Sequence, residues 1–107
     1  MADKWGALAQ NIPAATTLTD AYTVPAAKQA TIEVVICNRG GAASIRLSHA
    51  IAGIADATKQ YLLYNFSLAV GDTKSTEQIT LDATDVIRVY SDTGTVVFNI
   101  NGIEEDK

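Results

Sequence analysis

At 107 residues, 48% of them hydrophobic and 19% charged, the chain is long enough for one packed core, too short for two, and too hydrophobic for charge-driven disorder. A net charge of -4 and a pI near 4.7 leave no basic patch of the kind a phosphate backbone demands, so no nucleic-acid binding is expected. The opening residues lack the basic flank and apolar run of a signal peptide, and no segment approaches the ~20 apolar residues of a membrane span, which points to a product made in a cytoplasm without membrane contact.

Residues 1–24 are Ala- and Thr-rich with few charges, and Pro13 with the β-branched Thr16, Thr17 and Thr19 works against helix. They are expected to form an extended N-terminal arm with edge strands near 5–10 and 21–24, the second stopped by Pro25, which has no N–H for a ladder bond. Residues 30–38 give the strongest strand, with Ile32, Val34 and Ile36 on one face and Glu33, Val35 and Cys37 on the other. After the Asn38-Arg39-Gly40-Gly41 turn, residues 44–51 alternate Ile45, Leu47, His49 and Ile51 with Arg46, Ser48 and Ala50. Residues 52–58 read as a small-residue loop with one helical turn capped by Asp56. Residues 60–68, carrying Tyr61, Leu62, Leu63, Tyr64 and Phe66, read as a strand buried from two sides, and the polar residues 73–81 as an edge strand. Asp82-Ala83-Thr84-Asp85 reads as a tight turn, 86–91 and 95–101 as a closing hairpin, and 104–107 as a solvated tail. Together these predict an all-β fold, a single antiparallel β-sandwich (jelly-roll or Ig-like) of seven to eight short strands. Arm and edge strands occupy 1–24, the sandwich core 25–103 and the acidic tail 104–107.

Chemistry is sparse along this pattern. His49, the sole imidazole, falls in register with Ile45, Leu47 and Ile51 and reads as a core or interface histidine rather than a base. Cys37 has no second cysteine to pair with, and its neighbours Val35 and Ile36 suggest a buried thiol. The spacing of Asp82 and Asp85 fits carboxylates that accept backbone N–H groups in a turn better than a glycosidase pair. With one His and one Cys, no zinc site is expected, and Ser44, Ser48 and Ser91 lack a nucleophile-elbow context. Trp5, Tyr61, Tyr64 and Tyr90 are candidates for a sugar-stacking platform, set against a core role. The reading is of a chain with no catalytic residues, no metal and no cofactor.

Several strands are apolar on both faces: Val35 and Cys37 opposite Ile36, Val86 and Tyr90 opposite Ile87 and Val89, Val97 opposite Val96 and Phe98. An antiparallel sheet in a free monomer normally leaves one face polar. The second face is therefore expected to be covered, by the N-terminal arm or by a neighbouring subunit. Trp5, Leu8, Val35, Val86, Tyr90 and Val97 are the interface candidates, in a homo-oligomer for which a trimer is favoured.

The stretch Leu18-Thr19-Asp20-Ala21-Tyr22-Thr23-Val24-Pro25-Ala26, followed by Ile36-Cys37-Asn38-Arg39-Gly40 and then Leu81-Asp82-Ala83-Thr84-Asp85-Val86-Ile87, resembles a group of short virion proteins of tailed bacteriophages. The similarity covers most of the chain in order. It implies an all-β, non-enzymatic structural component, with no catalytic residues to carry over and the virion as its place. The expected role is a capsid decoration (cement) protein on the outside of the head, with the major capsid protein or other virion proteins as partners. The alternative is a tail, neck, baseplate or fibre-associated part, and a carbohydrate-binding module ranks below both.

Overall fold

The computed structural model describes residues 4–107, so residues 1–3 of the expected arm lie outside the described residues. Nine strands follow one another: β1 (Lys4–Asn11), β2 (Thr19–Thr23), β3 (Lys28–Asn38), β4 (Ala43–Ala50), β5 (Tyr61–Leu68), β6 (Thr73–Ser75), β7 (Ile79–Leu81), β8 (Val86–Ser91) and β9 (Val96–Asp106). They form two antiparallel sheets. Sheet A runs β1-β9-β3, with β6 and β7 both pairing the far side of β3, and sheet B runs β2-β8-β4-β5. The ninth strand arises because the expected edge strand over 73–81 breaks in two, with Thr76 bonding both the N–H and the carbonyl of Val34 between its halves.

Period-two alternation explains the packing. Ala30, Ile32, Val34 and Ile36 of β3 and Val96, Phe98 and Ile100 of β9 turn inward from sheet A. Tyr22, Ile45, Leu47, Ile87 and Val89 turn inward from sheet B, and all join one core cluster. Each of the larger Val, Leu, Ile and Phe side chains among them contributes roughly 1.5–3 kcal/mol through burial, which is why one face of every long strand is fixed. Asn38 is a polar residue that is fully buried yet satisfied. Its amide donates to the carbonyls of Gly41 and Leu68, both at 2.9 Å, and its Oδ1 accepts from Gly40 N–H and the Thr95 hydroxyl, so one residue ties three turns at one end of the molecule.

Four sequence expectations change. Residues 60–68 are not buried from two sides: β5 is the outer strand of sheet B, its register against β4 slips twice, and Leu68 is its only buried residue. The segments 86–91 and 95–101 are not a hairpin, because the intervening turn carries the chain from sheet B to sheet A. The last residues are not a solvated tail, since β9 continues to Asp106 and the buried Glu104 accepts a hydrogen bond from the Tyr22 hydroxyl. Burial, and then this bond, push the Tyr22 hydroxyl pKa well up. Finally, the arm does not lie over a sheet face. Residues 4–11 are strand β1, paired along the edge of β9, with Leu8 and Ala9 against the core.

Candidate functional site

Register places two sets of residues on the outer face of sheet A: Thr31, Glu33, Val35 and Cys37 from β3 beside Val97, Asn99, Asn101 and Ile103 from β9. Edge strand β1 adds Trp5 opposite Ile103 and Gln10 opposite Asn99, where the two amides bond at 2.8 Å. None of these side chains is buried: Glu33, Gln10 and Trp5 are exposed, Trp5 at 76%, and the others are partly exposed. Among the eight residues from β3 and β9, Glu33 alone carries a charge. At one end, Gly6 and Gly102 meet across the β1–β9 ladder. A Cβ on Gly102 would lie 2.1 Å from the Thr31 carbonyl oxygen, so only glycine lets β9 come this close to β3. Beside it, Trp5, Thr31, Glu33, Gln78, Asn101 and Ile103 line an open cleft of about 210 Å³.

One end of the outer face of sheet B, around Ser48, Ala50 and Val86, is closed by the chain itself. Residues 51–60 fold back over it through two short 3-10 turns, Ile51–Gly53 and Thr58–Gln60. Arg88 pins this loop by donating to the Ile54 carbonyl at 2.9 Å and the Gly53 carbonyl at 3.2 Å, while pairing Asp20 at 2.9 Å. Beneath the loop Ser48 and Ala50 are fully buried and Val86 is 6% exposed.

The six interface candidates therefore divide. Trp5, Val35 and Val97 share the open face of sheet A. Val86 is removed from contact by the 51–60 loop, Tyr90 is half-buried beside Arg46, and Leu8 packs on the core. Cys37, read from sequence as a buried thiol, is half-exposed on sheet A, because β3 buries its even-numbered residues. Of the four platform aromatics, Tyr61, Tyr64 and Tyr90 gather on sheet B, whereas Trp5 belongs to sheet A.

No family model, no curated protein and no solved structure matches this chain.

The remaining chemistry is committed to structure. His49 is not a core residue: β4 ends at Ala50, Ile51 is exposed, and the His49 ring bonds the Asp85 carboxylate at 2.8 Å. Asp85, 4% exposed, also accepts the N–H groups of Ala52 at 2.9 Å and Asp82 at 3.0 Å. Burial presses its carboxyl toward the neutral form, but the two N–H groups and the imidazole outweigh it and hold its pKa below the usual value. Asp82 is held low by Lys107, 2.5 Å away, and by the Ala83 N–H. The Asp82–Asp85 pair thus acts as a turn whose carboxylates satisfy donors, and Asp85 anchors the start of the covering loop. The sequence offered no sign that 51–60 would be a cover, since its small residues carry no periodicity.

Proposed function

We propose that this chain is a non-enzymatic structural component of a bacteriophage virion, a capsid decoration protein that attaches to the outside of the head through the outer face of sheet A. The observation that carries the reading is the contrast within the molecule: the Ser48, Ala50 and Val86 end of one outer sheet face is covered by its own loop, while the other outer face, nearly uncharged, presents an exposed Trp5 beside the partly exposed Val35 and Val97. A strand pair built this way gives an extended surface of small polar and apolar side chains, suited to burial against a partner lattice at little desolvation cost. Binding only to the assembled state would stabilise that state by mass action.

Strand order supports a jelly-roll form of the sandwich. Each sheet interleaves early and late strands, the first with the ninth and third, the second with the eighth and fourth, as in two Greek keys. That architecture recurs in viral capsid domains and in lectins. The resemblance in residues 18–26, 36–40 and 81–87 points the same way.

Quantitative mass spectrometry of purified particles tests the role. A copy number on the scale of the capsid lattice is expected. A copy number fixed by the tail's symmetry axis would move the chain to the tail, neck, baseplate or fibre, and absence from particles would end the proposal.

A further inference from the structure

Beyond the covering loop, the outer face of sheet B carries one open patch built around an unpaired cation. The Arg46 guanidinium carbon stands 4.6 Å from the centroid of Tyr64 and 4.6 Å from that of Tyr90. Arg46 Nε donates to Asn65 Oδ1 at 2.8 Å. Tyr61 meets Tyr64 edge-on, with centroids 5.0 Å apart. The ion pairs of the described residues engage Lys28, His49, Arg88 and Lys107, and none includes Arg46. In a chain of net charge -4, this is not for want of carboxylates. Asp56 accepts from the Tyr61 hydroxyl at 3.1 Å.

The backbone bends to make the patch. Register between β4 and β5 shifts on either side of Leu47, and Asn65 sits at φ 51, in the left-handed region, so that Tyr64 and Asn65 are exposed in succession. Bulges of this kind re-aim side chains, and a left-handed asparagine departs from the strand conformation around it.

We infer that this patch is a binding site for an acidic saccharide, whose carboxylate pairs with Arg46 while its pyranose ring packs on Tyr64. The guanidinium lies against a ring from each strand that flanks β4, Tyr90 of β8 and Tyr64 of β5. Nε is used by Asn65 and the Tyr61 hydroxyl also hydrogen-bonds the guanidinium, which leaves its remaining terminal N–H groups for a carboxylate, a planar acceptor suited to such donors. Tyr64 leaves 56% of its surface open to a sugar's C–H face. The Tyr61 hydroxyl beside the guanidinium and the Asn65 amide supply polar contacts at the rim. A neutral sugar would use the rings and leave the cation unmatched. The site rests on sheet B side chains alone and is independent of the docking reading for sheet A.

Amide NMR titration of the full chain with trigalacturonic acid, and with maltotriose as the neutral comparison, tests the assignment. Saturable shifts at Arg46, Tyr64 and Asn65 are expected, with maltotriose about tenfold weaker or more. Arg46→Lys, which keeps the charge but loses the planar fork, should weaken binding about tenfold, and Tyr64→Ala by a similar factor. Unchanged thermal unfolding midpoints identify variants that still fold, and Arg46→Gln serves if Arg46→Lys does not. No saturable response in β4 and β5, equal affinity for the neutral trisaccharide, or full binding by the folded Arg46 variant would overturn the site. Shifts that depend on protein concentration but not on saccharide would show a self-contact and overturn it equally.

Discussion

Both sheets of this molecule turn an outer face to their surroundings, and the two are finished differently. On sheet B, residues 51–60 are drawn down by Arg88 and Asp85, and the side chains beneath them are as buried as the core. On sheet A, β3 and β9 pair over eleven residues whose outward side chains stay at least partly exposed, and the long edge strand β1 extends the surface instead of shielding it. The doubled apolar pattern in the sequence thus has two solutions in one domain. One face is covered within the chain over Ser48, Ala50 and Val86, which stabilises the fold. The other stays available, and its side chains contribute little to stability alone.

This contrast can be broken at graded points. Gly102→Ala should have the largest effect, about 3 kcal/mol of lost stability in denaturant unfolding, because its Cβ would overlap the Thr31 carbonyl and force the two long strands of sheet A apart. Asp85→Ala should cost about 2–3 kcal/mol, since it strands the Ala52 and Asp82 N–H groups and the His49 ring. The same residue sets a pH dependence. Its pKa is lower folded than unfolded, so its contribution is complete above the unfolded value of about 3.9 and is lost as pH falls through the folded value. Wild-type unfolding curves should weaken below about pH 4, and Asp85→Asn should flatten that limb.

Arg88→Ala should cost about 2 kcal/mol and speed hydrogen exchange across residues 51–60. If exchange there stays slow, the loop is held by something other than Arg88. The smallest change in stability, within about 0.5 kcal/mol, belongs to Val35→Glu and Val97→Lys, which alter only the open face. Each should nevertheless remove the chain from particles. A large loss of stability on either substitution would mean that sheet A is not the free face described.

The sequence revealed what local alternation governs and missed what depends on distant pairing. β3, β4 and β8 were legible because one apolar face recurs every second residue. β5 misled because an apolar run reads as burial from two sides, while its exposure follows from its place at the sheet edge. The turn near Gly94 signals a reversal but not whether the flanking strands share a sheet. Glu104 looked solvated within an acidic run, yet its partner Tyr22 lies 82 positions away. For the proposed attachment surface, the sequence singled out Trp5, Val35 and Val97. It could not separate them from Val86, because only the fold shows which outer face the 51–60 loop takes.

Cys37, the sole cysteine, sits half-exposed on the outer face of β3 beside Val35 and opposite Val97, and it reports on that face without any substitution. The most direct measurement is the rate of its alkylation in the free chain and in intact virions. Ready reaction when free and strong protection in the particle are expected if sheet A is the attachment face. Equal rates in the two states would contradict it.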